Sequence, residues 1–129
     1  MQELTSLGRH FLVEYHGCNP DTLDNVELVR DIMLFAAKES GATILNTYLH
    51  KFSPQGVSGV IVIAESHIAI HTWPEHGYAA VDIFTCGTNV DPWIAYNIMK
   101  DKLECSESYT KEIIRGQLLE RQYQKAAQG

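Results

Sequence analysis

Residues 56–86 constrain the fold more than any other stretch, because strand-like segments follow one another there with little between them. Three short segments rich in apolar and β-branched side chains are predicted strands: residues 57–64, 67–72 and 79–84. The polar tripeptide Glu65-Ser66-His67 between the first two is too short for an ordinary loop. We therefore predict a tight turn that reverses the chain at this point.

The rest of the chain adds three predicted strands, at residues 8–15, 42–52 and 109–115. Residues 17–21 are expected to form a loop after the first strand, and residues 117–129 are expected to form a loosely ordered tail. The turn-forming sequence of residues 53–56 predicts a hairpin between the strands on either side of it.

Two amphipathic helices are also predicted. The first is expected to begin with Asp24 as its N-cap and Glu27 three residues later, and to end at Gly41. The second begins with the Asp91-Pro92 pair, an N-cap followed by proline in the first turn. Each helix has one apolar face that another layer must cover. The pattern predicts a single-domain α+β fold, a two-layer sandwich of an antiparallel sheet with both helices on one face.

The composition excludes several classes of protein. A chain of 129 residues is one domain that buries about two thirds of the surface exposed by its unfolded chain. No apolar run approaches the ~20 residues of a membrane span, and no signal peptide is expected. The formal charge of −6 argues against a nucleic-acid partner and is compatible with a cationic ligand. Three widely spaced cysteines indicate neither a disulfide framework nor a zinc site, and a reducing cytoplasm fits them best.

Single residues in the central stretch have ordinary structural interpretations. His67 and His71 have the spacing of a helical metal pair, but on a strand they lie roughly 13 Å apart, so no metal site is predicted. By itself, Cys86 is typical of a small buried hydrophobic residue, and Ser58 of a strand hydroxyl. Phe52 and Trp73 are typical of core or interface positions. Ser66, His71 and Asp82 are the residue types of a serine hydrolase, but no Gly-x-Ser-x-Gly motif surrounds the serine.

A longer set of motifs points to one family. In order they are Gly56-Val57-Ser58-Gly59-Val60, Glu65-Ser66-His67, Ile70-His71-Thr72-Trp73-Pro74-Glu75 and Phe84-Thr85-Cys86-Gly87. In sequence and spacing this set resembles the prokaryotic pyruvoyl-dependent S-adenosylmethionine decarboxylases. Similarity extends over roughly residues 6–103, with further matches at Gly8-Arg9-His10, Ser40-Gly41-Ala42, His50-Lys51-Phe52 and Asp91-Pro92.

The resemblance implies a proenzyme that cleaves itself between Glu65 and Ser66. Residues 1–65 would form the beta chain and residues 66–129 the alpha chain. Ser66 would attack the Glu65 carbonyl, and loss of its α-proton would lead to an N-terminal pyruvoyl group. By the same resemblance, Ser58 supplies a hydrogen bond during processing and His71 removes the α-proton.

The resemblance also implies the reaction and its setting. The pyruvoyl group would form a Schiff base with S-adenosylmethionine and accept electrons as CO2 leaves, and Cys86 would return a proton to the substrate. The implied substrate-binding residues are Phe52, Ile68, His71, Trp73 and Glu75. Two cleaved protomers would form a dimer with the active sites at their interface, and the product would serve spermidine synthesis.

Two alternatives remain at this stage. Relatives with the same fold decarboxylate other amino acids such as arginine or ornithine. A homologue that keeps the fold but is never cleaved would be a binding or regulatory protein, although the presence of Ser66, His71 and Cys86 together argues against this alternative.

Overall fold

A computed structural model of the chain describes residues 6–117. Six strands form a single antiparallel sheet: β1 (Ser6–His16), β2 (Ile44–Lys51), β3 (Val57–Ile63), β4 (Ser66–Trp73), β5 (Tyr78–Cys86) and β6 (Glu107–Gln117). Their order across the sheet is β2-β3-β4-β5-β1-β6. The helices are α1 (Pro20–Leu23), α2 (Val26–Glu39) and α3 (Pro92–Lys102), and a 3-10 turn spans Pro74–His76.

The predicted α+β sandwich is confirmed. Helix α2 packs over β2 and β3, and α3 packs over β1 and β5. Because successive strand residues point to opposite faces, one face of the sheet meets these helices and builds the core. The largest fully buried side chains include Phe11, Tyr15, Ile61, Ile68 and Ile83 from strands, and Met33 and Met99 from helices.

The opposite face of the sheet, which we call the open face, has no helix over it within residues 6–117. On β4 the burial pattern alternates, with Ile68 and Ile70 buried and His71 and Trp73 exposed. Several large apolar side chains of the described strands are exposed: Leu12, Tyr48, Val62, Trp73 and Tyr109. A protein does not usually leave so much apolar surface in water unless it binds something there.

The predicted start of the first long helix is wrong by one residue. Asn25, not Asp24, is its N-cap, and its side chain accepts a hydrogen bond from the Leu28 amide at 3.1 Å. Asp24 is occupied elsewhere: its carboxylate accepts from the Gly56 amide at 2.8 Å and lies 3.0 Å from the Lys51 ammonium. This long-range pairing ties the β2–β3 turn to the helix layer, which local sequence could not reveal.

The N-cap of the other predicted helix is confirmed, since Asp91 accepts from the Trp93 amide at 3.0 Å. The predicted loop at residues 17–21 is partly wrong. Asn19 caps a short helix by accepting from the Asp21 amide, and Pro20 fixes the backbone of its first turn.

The last predicted strand is confirmed and is longer than expected. It pairs with β1 from Glu107 to Gln117, so Gln117 belongs to the sheet. The remainder of the predicted tail, residues 118–129, lies outside the described residues. None of the helices between residues 6 and 117 has both the length and the apolar character needed to cross a membrane.

Candidate active site

The turn between β3 and β4 is confirmed as a two-residue reversal. Ile63 pairs with Ser66, and only Ala64 and Glu65 lie between them. Ser66 has φ 145°, a backbone conformation in the region that favours glycine. Holding a residue with a side chain in such a region costs about 1–3 kcal/mol, and such strain is concentrated at functional sites. The strain lies directly at the Glu65-Ser66 peptide bond.

Both the backbone carbonyl and the side-chain carboxylate of Glu65 accept hydrogen bonds from neighbouring chain segments. Its carbonyl oxygen accepts a hydrogen bond from the Cys86 amide at 2.7 Å. Its carboxylate accepts from the Thr43 amide at 3.1 Å, and the Ala64 amide donates to the Thr43 carbonyl at 2.8 Å. The turn is therefore clamped between the start of β2 and the end of β5. An amide aimed at a carbonyl oxygen is the geometry that stabilises negative charge when that carbonyl is attacked.

The Ser66 hydroxyl lies beside the imidazole of His67. Its Oγ lies 3.4 Å from Nδ1 of His67. The His67 ring is edge-on to Phe84, with centroids 5.7 Å apart, and to His10 at 6.2 Å. Cys86 is half-buried at the end of β5, one residue beyond the partner of Ser66 in the sheet. Sequence reasoning placed Glu65, Ser66 and Cys86 together in function, and the structure places them together in space.

A second group of predicted residues lies at the other end of β4. Ser58 and His71 are directly paired across β3 and β4, and the Ser58 Oγ lies 2.8 Å from the His71 Nδ1. They border a cavity of about 370 Å³ on the open face, whose lining residues are Tyr48, His50, Phe52, Ser58, Gly59, Val60, Ala69 and His71. The size lies in the range of small-molecule sites. Phe52 and His71, the predicted pair for binding a flat base, both line it.

Within one chain, these two groups of residues are far apart. Ser66 and His71 stand on the same extended strand with five residue steps between them, which corresponds to roughly 16 Å. Ser66, Glu65 and Cys86 therefore form what we call the turn group, and Ser58, His71 and the cavity form what we call the cavity group. No single protomer brings His71 to the α-carbon of Ser66 in this conformation.

The remaining predicted binding residues divide between surface and core. Trp73 is exposed, with its ring 6.5 Å from that of His71 and 5.3 Å from that of Tyr78. Glu75 is exposed in the 3-10 turn that follows β4. Ile68 is fully buried in the helix-side core. Its side chain does not line the open-face cavity, because on a strand its face is opposite to that of His67 and Ala69. Its role in substrate binding stays a prediction.

Sequence reasoning missed Tyr48 and His50, which line the cavity from β2. The His50 ring packs edge-on against Phe52, with centroids 4.5 Å apart. The available signal was alternation: Tyr48, His50 and Phe52 recur at every second position, so they share a face of the strand that leads to Phe52.

A second missed cluster surrounds the turn group. His10 stacks on Phe84 at 5.1 Å, and the Arg115 guanidinium lies over the same ring at 4.9 Å. Arg115 also lies 3.2 Å from His10 Nδ1. Burial lowers the pKa of His10, Arg115 and His67 act in the same direction, and Asp82 opposes them. The cluster comes from strands remote in sequence, so only pairing of β1 with β5 and β6 assembles it.

The profile of a family described as S-adenosylmethionine decarboxylase matches residues 9–116. The chain belongs to this family. The match includes the turn group and the cavity group, so both ends of β4 lie within the family's common region.

Curated S-adenosylmethionine decarboxylase relatives agree with this assignment. The S-adenosylmethionine decarboxylase proenzyme of Thermosipho melanesiensis is 53% identical over 113 residues, which cover 88% of this chain and 87% of that protein. The proenzyme of Caldicellulosiruptor saccharolyticus is 54% identical over 111 residues, covering 86% and 90%. A crystal structure of the adenosylmethionine decarboxylase from Aquifex aeolicus superimposes with a TM-score of 0.84 at 35% identity, covering 92% of this chain and 97% of that one. The predicted family and fold are confirmed.

Proposed function

We propose that this S-adenosylmethionine decarboxylase makes a pyruvoyl cofactor from Ser66 by cleaving its own chain between Glu65 and Ser66. The proposal rests on one observation. The backbone of Ser66 is strained, and the carbonyl of the residue before it, Glu65, accepts a hydrogen bond from the Cys86 amide. The word proenzyme in the names of the relatives describes precursors of active enzymes and is in agreement with it.

The residues of the turn group fit the steps of such a cleavage. Attack of the Ser66 Oγ on the Glu65 carbonyl carbon forms a C–O bond, and the Ser66 nitrogen leaves that carbon and takes up the proton, which gives an ester. The Cys86 amide stabilises the oxyanion formed on the way. Loss of the Ser66 α-proton then expels the Glu65 carboxylate and leaves a dehydroalanine. Addition of water to its imine form releases ammonia and leaves the pyruvoyl group.

The base that removes the Ser66 α-proton must lie close to Ser66, and this requirement bears on how two protomers associate. The family resemblance gives this role to His71, which lies roughly 16 Å from Ser66 along β4. We infer that His71 of a second copy reaches Ser66 when two open faces pack against each other. The exposed apolar side chains of the open face support this dimer, because association would remove them from water. His67, the neighbour of Ser66 within the chain, is the competing base.

The cavity group suits the adenosine part of the substrate. Phe52 and His71 offer flat faces on which a base can stack, and the remaining lining is mainly apolar. The aromatic walls and the net charge of −6 favour a cationic sulfonium ligand. Glu75 would accept hydrogen bonds from the ribose hydroxyls, with Trp73 beside it. Arginine and ornithine are the alternative substrates, but the cavity lining includes no acidic side chain to bind a guanidinium or ammonium group.

In the decarboxylation itself, the pyruvoyl cofactor and the Cys86 thiol would have different roles. The pyruvoyl group supplies a carbonyl that withdraws electrons from the carbon losing CO2. Cys86 lies next to the turn from which that group would arise, which supports a role for its thiol as the acid that returns a proton to the same carbon. The product, decarboxylated S-adenosylmethionine, is an aminopropyl donor for spermidine synthesis, and the predicted site of action is the cytoplasm.

Intact-mass measurement of the purified protein tests the proposal. We expect two fragments, residues 1–65 and residues 66–129, with a blocked N-terminus on the second. A Ser66→Ala variant should remain a single folded chain, because alanine fits the same turn. A single uncleaved mass for the unaltered sequence after long incubation would overturn the proposal and favour the uncleaved binding homologue.

A further inference from the structure

Two of the three cysteines meet at the end of the sheet farthest from the turn group. Cys18 follows β1 and is buried, and its amide donates to the Gly77 carbonyl at 2.8 Å. Cys105 lies between α3 and β6, is partly exposed and packs against the same core. They are remote in sequence, so their meeting is a consequence of the fold.

The backbone holds these two cysteines side by side. The Asn19 amide donates to the Leu103 carbonyl at 3.1 Å, and the Ser106 amide donates to the His16 carbonyl at 3.0 Å. These two bonds bracket Cys18 and Cys105 in an antiparallel arrangement, in which paired segments run about 4.8 Å apart. A disulfide needs Cα atoms about 4.4–6.8 Å apart, a separation that neighbouring segments of this kind provide.

The two thiols are also close enough for each to affect the pKa of the other. The Cys105 thiol donates to the Lys100 carbonyl at 3.3 Å.

We propose that Cys18 and Cys105 are a redox modification site, at which a small-molecule disulfide oxidises the pair to an intramolecular disulfide. Cys18 precedes the Glu65-Ser66 bond and Cys105 follows it, so the disulfide joins the two fragments covalently. This consequence rests on the proposed cleavage, whereas the disulfide itself does not.

The chemistry is two successive thiol–disulfide exchanges. The more exposed Cys105 reacts first: its thiolate attacks one sulfur of the small disulfide, forms a mixed disulfide and releases one small thiolate. The Cys18 thiolate then attacks the Cys105 sulfur and releases the second. The two protein thiols lose two electrons, the small disulfide gains them, and the two protons go to the released thiolates.

The surroundings make this oxidation slow near neutral pH. Burial raises the pKa of Cys18 to about 12, with contributions from Cys105. Burial also raises the pKa of Cys105, although the Lys100 ammonium opposes this. The thiolate is the nucleophile, and raised pKa values leave little thiolate at neutral pH. We therefore expect the pair to resist brief exposure to an oxidant and to react during sustained exposure.

The test is incubation of the full-length protein with glutathione disulfide for several hours, followed by blocking of free thiols and electrophoresis without reductant. We expect the cleaved protein to migrate as one species of about 14.5 kDa, and to separate into two fragments when dithiothreitol is added. Peptide mapping should identify Cys18 linked to Cys105. Cys18→Ser and Cys105→Ser should each leave the fragments separate.

The uncleaved Ser66→Ala variant makes the result independent of processing. In that variant the disulfide should appear as a loss of two hydrogen atoms and as the same linked peptide. Free or glutathione-capped Cys18 and Cys105 after prolonged incubation, or linkage only through Cys86 or between separate copies, would overturn the proposal. If the chain proves not to cleave but the linked peptide forms, the disulfide stands and the proposed processing fails.

Discussion

The two ends of β4 are built in different ways, although one strand carries both. At its start, Ser66 is strained, and the residue before it is clamped by Thr43 and Cys86. At its far end, His71 and its partner Ser58 on β3 are regular strand residues beside an apolar cavity. In the function that we propose, the two ends have separate tasks. The strained end is where the peptide bond breaks, and the regular end binds a ligand and supplies an imidazole.

The largest expected effect tests whether the two ends act in trans. His71→Ala should abolish cleavage, because the α-proton has no base, and Ser66→Ala should abolish it because the attacking hydroxyl is lost. When both variants are produced in the same cells, a mixed dimer has one site with Ser66 from one chain and His71 from the other. We therefore expect the His71→Ala chain to be cleaved only when the Ser66→Ala chain is present.

The mass of each chain measures this complementation. A His67→Ala variant is the matched control, since its side chain is the imidazole nearest to Ser66 in the same chain. The opposite result would be that His71→Ala is cleaved by itself, while His67→Ala is not cleaved even when a second variant is produced with it. In that case the base lies in the same chain as Ser66, and no second copy supplies it.

A second effect separates formation of the cofactor from its use. Cys86→Ala keeps the backbone amide that binds the Glu65 carbonyl, so part of the protein should still be cleaved. Its turnover should fall by roughly 100- to 10,000-fold, the usual cost of losing one positioned proton donor. The measurement is decarboxylation normalised to pyruvoyl content by mass spectrometry. Near-normal turnover per pyruvoyl group would mean that another residue or water donates the proton.

A smaller effect concerns the cavity group alone. Phe52→Ala should raise KM for S-adenosylmethionine roughly tenfold, which corresponds to about 1.4 kcal/mol of lost binding, while cleavage proceeds normally. Phe52→Tyr keeps the aromatic face and should retain a KM close to that of the unaltered protein. Steady-state kinetics on fully cleaved samples provide the comparison. Equal KM values for all three proteins would place the adenine elsewhere.

The smallest expected effect is the pH-dependent contribution of Asp24, which supports the turn leading into β3. The Gly56 amide, and then Lys51, hold the pKa of the Asp24 carboxyl below its usual value. A lowered acid pKa stabilises the fold above the unfolded value of about 3.9, and this contribution is lost as the pH falls through the folded pKa. The melting temperature of Asp24→Asn should therefore be lower than that of the unaltered protein at pH 7, with the gap closing in strong acid. A gap that is constant with pH would contradict this assignment.

Local patterns were sufficient for most of the elements. Strand-forming composition and turn signals predicted all six strands of residues 6–117, and the Asp91-Pro92 pair predicted the start of α3, because these signals depend on neighbours only a few residues away. They failed at Asp24, whose carboxylate bonds to Gly56 across the fold. Nor did they show that the Ile68 side chain faces the helix-side core, since the motif resemblance identified a position without saying which face its side chain takes.

The sequence by itself determined the antiparallel α+β architecture, the turn at Glu65 and Ser66, and the family, because periodicity and motif spacing are written along the chain. Only the tertiary structure decided the rest: that Cys86 directs its amide at the Glu65 carbonyl, that His71 stands far from Ser66 in the same protomer, and that Cys18 meets Cys105. These relations join residues on different strands or fix a distance in space. They follow from strand order and register, which arise from packing of the whole sheet rather than from any local stretch.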